Sequence, residues 1–556
     1  MELRHGGDAV ISAVRRRGVE TMFTLSGGHV FPIYDGAVGN GATQEQPSPR
    51  ILDVRHEQTA VFAAEATARL TRNPGLAVLT AGPGITNGIS GIATAHFNAS
   101  PVVVLGGRAP QGRWGTGALQ ELDHPPLVAP ITKWAATAAN PGTLLDDVER
   151  AFQVATSPHR GPVFLDFHMD HLFGPVPDGA APDGEAAEPV AVERAEADPE
   201  ALAGIAALLA EARHPVLVLG SDVWMDRAEE AALAFAEELR LPVVTNGQGR
   251  GILPSGHDLL VTRARGRAFG EADLVIVAGT PLDFRLGYGA FGGGAAKVVH
   301  LADAPSHLAG HVATAGAASG DLSAVFGGLA AACAKAGVSA ASYAAWTEGL
   351  RDTARAAVEA DAGLLASAAD PIHPLRVYGE LAKVLDDDAV VIGDGGDFVS
   401  YAGKYVEPKR PGGWLDPGPY GCLGTGPGYA VAARLARPTA QIALLLGDGA
   451  AGFSLMDVDT LVRHRLPVVM IVGNNGAWGL EKHPMRALYG YDVAADLQPE
   501  CRYDDVVRAL GGAGELVTRP DGIAPALRRA FDSGVPYMVN IATDPEVSYP
   551  RSTTGV

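Results

Sequence analysis

Short runs of Val, Ile and Leu, each followed by glycine and then a helical pattern, recur along this chain and limit what it can fold into. They stand at 76–80, 102–105, 215–219, 274–278, 390–392, 442–446 and 468–472. A strand with one face in water alternates apolar and polar residues, whereas a strand buried on both faces is apolar throughout. Continuous apolar strands alternating with helices predict an α/β fold of parallel sheets covered on both sides. Ligands of such sheets sit at the carboxyl ends of the strands.

Two seams divide these runs. Residues 172–199 are rich in Pro, Ala, Gly, Asp and Glu without apolar periodicity, the composition of an exposed linker. A weaker seam at 337–371 carries Ala-rich sequence that fits an ordered connecting helix. The expected domains are 1–170, 195–335 and 371–556, all three α/β, and the first and third suit two versions of one architecture. A length of 556 residues agrees with three or four domains of about 150 residues.

Composition removes several function classes. Lys and Arg total 43 against 63 Asp and Glu, a formal charge of −20 that repels a phosphate backbone, so no nucleic-acid partner is expected. No apolar run approaches the ~20 residues of a membrane span. Cys333, Cys422 and Cys501 are too few and too scattered for a disulfide framework or a zinc site. The opening Met-Glu-Leu-Arg-His has no charged-then-apolar leader pattern, and the expectation is a cytoplasmic protein with no membrane partner.

The segment 442–475 concentrates the chemistry. A strand ends near Leu446, Gly447-Asp448-Gly449 follows, a helix is predicted over about 454–464, and a second strand leads to Asn474-Asn475. Asp448 and Asn475 thus fall just past two adjacent strand ends. The glycines beside Asp448 let backbone amides approach an anion. A carboxylate and an amide oxygen, with one carbonyl and diphosphate oxygens, make the all-oxygen site that Mg²⁺ prefers. Taken singly, GDG reads as an ordinary turn and NN as a loop end; their pairing across two strands does not.

The arrangement resembles the thiamine-diphosphate enzymes, whose signature is GDG followed by NN. The resemblance implies Asp448, Asn475 and the Ala477 carbonyl as metal ligands, and the backbone of Gly449 and Ala450 as the diphosphate cradle. It assigns Gly396, Asp397 and Phe398 to further cofactor contacts. It also demands a glutamate on a separate domain, and RHEQ at 55–58 supplies Glu57 at a helix start. A Glu there is also an ordinary helix-dipole partner. The stretch 76–107, LAVLTAGPGITNGISGIATAHFNASPVVVLGG, is similar to the same family throughout. The Glu57 carboxyl would bond the aminopyrimidine ring and stabilise the imino form that lets the cofactor act as its own base. Leu423 would wedge beneath the two cofactor rings, and the Gly421 carbonyl would receive the 4′-amino group. Because Glu57 and the diphosphate site come from different subunits in this family, a homodimer is the minimum unit, and a homotetramer is expected.

Acetolactate synthases, 2-hydroxyacyl-CoA lyases and oxalyl-CoA decarboxylases share these features. GFSLMDVDTLVRHRLPVV at 452–469, GPGYAVAA at 426–433 and AGTPLDFRLGYG at 278–289 resemble the acyl-CoA lyases. The last lacks the RFDDR pattern of FAD-binding synthases, so FAD is not expected. The reading is a reversible cleavage of a 2-hydroxyacyl-CoA to formyl-CoA and an aldehyde or ketone; the alternative is an acetolactate-synthase-like joining of 2-keto acids. Glu481 is the candidate acid/base, against a solvated carboxylate paired with Lys482. His29 and Gln120, with Glu121, are further candidates, His29 competing with a structural role. Leu119 and Leu480 would shape the substrate's carbon end. In the CoA-dependent relatives the middle domain carries ADP, and Asp303 is its candidate contact here, against a vestigial site. The tail 544–556, with Arg551, would close over CoA or fray. A paralogue that binds cofactor without turnover is the alternative of another class, and the intact Glu57, Asp448 and Asn475 speak against it.

Overall fold

A computed structural model of the chain describes residues 3–39, 47–177 and 197–550. Most of the expected linker, 178–196, and Arg551 with the end of the tail lie outside the described residues.

Among the described residues the strands form three sheets that include all the apolar runs, and every strand pairing in them is parallel. The first has six strands, in the spatial order Arg50–Asp53, Thr21–Thr24, Gly75–Leu79, Val102–Arg108, Val163–His168, Trp134–Thr137. The second has five: Gly316–Ser319, Lys297–Ala302, Leu274–Ala278, Pro215–Leu219 and Val243–Thr245. The third has six: Trp414–Leu415, Val390–Asp394, Ile442–Gly447, Val469–Asn474, Tyr537–Ala542 and Ala513–Val517. Numbered along the chain, the first and third sheets have the same spatial order: second, first, third, fourth, sixth, fifth. They are two versions of one architecture. The central strands of each are buried along their length, as unbroken apolar runs require.

The chain forms two compact units. The first takes residues up to 192 together with 420–438 and 454–467, and the second takes the remainder. In the first unit, helix Glu57–Thr71 packs against helix Gly426–Ala436. The approach is close because Gly428 faces it: a Cβ there would lie 2.8 Å from the Cβ of Phe62 and 2.9 Å from the Thr59 carbonyl. Tyr429 meets Phe62 edge-on, with ring centroids 6.3 Å apart. The Thr59 hydroxyl donates to Asp457 at 2.7 Å, and the Arg55 amide donates to the same carboxylate at 2.8 Å.

In the second unit, helix Ala344–Leu365 occupies the Ala-rich seam. One local expectation is corrected. The chain becomes helical at Asp448 itself, over Asp448–Ser454, and a 3-10 turn separates this from helix Val458–Arg463. GDG is therefore the start of a helix and not a free turn ahead of one. No helix among the described residues is long and apolar enough to cross a membrane.

Candidate functional site

Register brings the signature residues together. Strands Ile442–Gly447 and Val469–Asn474 run side by side with Gly447 opposite Gly473, so Asp448 and Asn474-Asn475 leave the sheet at one level. Asp448 is 3 % exposed. Its Oδ1 accepts from the Gly449 amide at 2.8 Å and its Oδ2 from the Gly476 amide at 2.6 Å. Burial pushes the carboxyl up to about 6, against the opposing pull of these backbone donors. Asn475 Oδ1 accepts from the Ala477 amide at 3.1 Å.

One cavity in the second unit is lined by Gly396, Asp397, Phe398, Asp448, Gly449, Ala450, Asn475, Ala477, Leu480 and Glu481, together with Trp478. The lining is tightly fitted. A Cβ on Gly473 would sit 2.3 Å from the Phe398 ring, and one on Gly449 would sit 2.4 Å from the Trp478 ring. Trp478 escaped the sequence reading, because only its place after Asn475 marks it. The exposed Glu481 lies on helix Gly479–Tyr489, while Lys482 pairs with Asp496.

The donor set fits a hard dication. A carboxylate, an amide oxygen and a backbone carbonyl offer oxygen alone, and no soft ligand among the described residues lines the cavity. A buried carboxyl held near pH 6 by desolvation is also one that a cation would relieve.

The first unit holds the other candidates except Asp303, which lies in the second. Glu57 opens helix Glu57–Thr71 and is 7 % exposed. Asn87 Nδ2 donates to its Oε2 at 3.0 Å. Asn87 was not singled out from the sequence, although it lies in the GPGITN run. His29 is buried, its Nδ1 lies 3.3 Å from Thr80 Oγ1, and the Leu119 backbone is a second hydrogen-bond partner. Burial lowers its affinity for a proton, so the ring is neutral at neutral pH. Gln120 is half-buried with φ +58°, and Leu119 is 78 % exposed. Glu121 commits one oxygen to the Gly115 amide at 3.0 Å and the other to the Ala118 amide at 3.2 Å. Gly421 and Leu423 belong to the 420–438 segment of the first unit. Asp303 is buried just past the end of strand Lys297–Ala302 in the second sheet.

Three family models match this chain. They are the thiamine pyrophosphate enzyme N-terminal TPP binding domain over 4–127, the central domain over 202–329 and the C-terminal TPP binding domain over 394–541. A Mycobacterium bovis protein named probable acetolactate synthase is 49% identical over 551 residues, covering 98% of this chain and 97% of that one. The acetolactate synthase large subunit IlvG of Mycobacterium tuberculosis matches to the same extent. A 2-hydroxyacyl-CoA lyase 2 of Caenorhabditis elegans is 34% identical over 96% of this chain and 87% of its own. The human protein of that name is 31% identical over 97% of this chain and 90% of its own.

Proposed function

Since this chain belongs to the thiamine pyrophosphate enzyme family, we propose that it removes CO₂ from one 2-keto acid and joins the remaining acyl unit to a second, as an acetolactate synthase does. The observation that carries this reading is the 49% identity to the mycobacterial synthases across nearly the whole of both chains. It displaces the lyase expectation to second place. That expectation rested on three short stretches, whereas the identity integrates over 551 residues.

Thiamine diphosphate, when bound, supplies a nucleophilic carbon and a sink for the electron pair released with CO₂. The chain's own groups hold and orient it. In this reading Asp448, Asn475 and the Ala477 carbonyl would hold Mg²⁺, and the backbone around Gly449 and Ala450 would take the diphosphate. Gly396, Asp397 and Phe398 complete the wall. Glu57, held by Asn87, would bond the aminopyrimidine ring and hold a proton at its carboxyl there. Leu423 and the Gly421 carbonyl would hold the two rings, and Glu481 would supply or take a proton at the substrate oxygen. Leu119, Leu480 and Gln120 border the substrate. Glu57 comes from one copy of the chain and Asp448 from another, which makes a homodimer the smallest working assembly.

The Asp448 carboxyl gives this reading a pH signature. Its affinity for a proton is raised to about 6, so below that value a proton competes with the cation. Apparent Mg²⁺ affinity of the enzyme–cofactor mixture is expected to fall about tenfold per pH unit below 6. Titration calorimetry from pH 8 to pH 5 measures this, after subtraction of the diphosphate's own protonation measured without protein. Affinity that stays level across the range contradicts the assignment.

The second reading is the 2-hydroxyacyl-CoA lyase, with ADP at Asp303. Residues 278–289, 426–433 and 452–469 favour it, as do relatives at 31–34% identity. A panel of pyruvate, longer 2-keto acids and 2-hydroxyacyl-CoAs, with thiamine diphosphate and Mg²⁺, separates the two. Acetolactate and CO₂ from pyruvate are the expected products. Formyl-CoA from a 2-hydroxyacyl-CoA, with no carboligation, overturns the synthase reading in favour of the lyase.

A further inference from the structure

Behind the turn beside Glu57 runs a buried polar relay. Gly82 precedes helix Pro83–Phe97 with φ +58° and ψ −112°, a backbone conformation that side chains other than glycine rarely adopt. Its amide is buried and donates to His124 Nε2 at 2.9 Å. An amide N–H only donates, so Nε2 is bare and Nδ1 carries the ring proton. Nδ1 donates to Asp166 Oδ2 at 2.7 Å. His124 and Asp166 are both wholly buried. Arg108 Nη1 holds the same Asp166 oxygen at 3.2 Å, while its Nη2 reaches Asp123 at 2.8 Å.

The hydrogen-bonded chain stops at Gly82, at the start of the helix that faces Glu57. The Gly82 carbonyl accepts from the amides of Ile85 at 3.0 Å and Thr86 at 3.1 Å, so Gly82 sets the first turn of the helix. On that turn a Cβ at Gly84 would lie 3.9 Å from Glu57 Oε1, and Asn87 donates to Oε2 at 3.0 Å. Gln120 leans on the same point, since a Cβ on Gly82 would approach its Cβ to 2.9 Å.

We propose that His124, oriented by Asp166, is a positioning residue: it pins the Gly82 amide and thereby fixes the helix turn that aims the Glu57 carboxyl. The inference rests on the reading of Glu57 as the carboxyl that meets the aminopyrimidine. A buried amide left without an acceptor favours a shifted turn. His124→Phe keeps an aromatic ring and removes the acceptor, whereas His124→Gln places a carbonyl oxygen near the position of Nε2.

Two readouts test this. In the cofactor-free enzyme, His124→Phe is expected to speed amide hydrogen exchange across 82–87 at least tenfold, with exchange in 469–474 unchanged. In the cofactor-loaded enzyme, proton exchange at the thiazolium carbon slows about tenfold at saturating thiamine diphosphate, and cofactor affinity is held. His124→Gln restores both to within about threefold of wild type. Unchanged exchange at 82–87, or a Gln variant no better than Phe, overturns the proposal. Glu57→Gln is run alongside. If that variant exchanges the thiazolium proton at the wild-type rate, the reading of Glu57 fails; if Glu57→Gln is slow and His124→Phe is not, the relay alone fails.

Discussion

Glu57→Gln is expected to lose about 10²–10⁴-fold in turnover, the range that a positioned acid–base group contributes. Gln fills the same space and keeps an oxygen for Asn87, so the packing of helix Glu57–Thr71 is retained. What it cannot do is gain or lose a proton at that atom. Turnover should therefore collapse while the melting temperature and cofactor affinity stay close to wild type. Steady-state assays with the substrate found in the panel, beside thermal melts and cofactor titration, separate these quantities. A variant that keeps more than a tenth of wild-type turnover removes Glu57 from the chemistry.

Asp448→Asn should fail at an earlier step. The carboxylate is the charged member of the three ligands the chain itself supplies, so its loss removes the protein's own charge attraction for a dication. It also leaves one of the two amides, Gly449 or Gly476, facing an NH₂ group. Affinity for thiamine diphosphate in the presence of Mg²⁺ is expected to drop about a hundredfold or more. Turnover should return in part when both are raised to high concentration. The two variants thus divide cleanly, Glu57→Gln in turnover and Asp448→Asn in binding. Unchanged cofactor affinity in Asp448→Asn would remove it from the metal set.

The strands that are unbroken apolar runs were legible because burial on both faces leaves them no polar position; Val163–His168, buried throughout but carrying Asp166, was not. The cavity followed, since parallel register delivers the ends of neighbouring strands to one place, and Asp448 and Asn475 stand at two such ends. Contacts between helices were not legible. Asn87 reaches Glu57 from a different helix, and neither helix carries a pattern that names the other. The same holds for His124, a lone histidine whose partners are a backbone amide and Asp166. Residues 420–438 and 454–467 read as part of the third block by their place in the chain. They pack with the first unit through Gly428, Tyr429 and Asp457, none of which announces a partner. Resemblance of short stretches also pointed to the lyases, where identity over the whole length favours the synthases.

The central claim is that one coenzyme is gripped by Glu57 of one copy and Asp448 of its neighbour. Co-expression of Glu57→Gln and Asp448→Asn chains under different tags, followed by purification of the mixed dimer through both, tests it directly. Each parent dimer should be nearly inactive at ordinary cofactor concentration. The mixed dimer should recover about half of wild-type turnover, because one of its two symmetry-related sites then has both residues intact. A mixed dimer as inactive as its parents would place both residues of each site on a single chain and contradict the account.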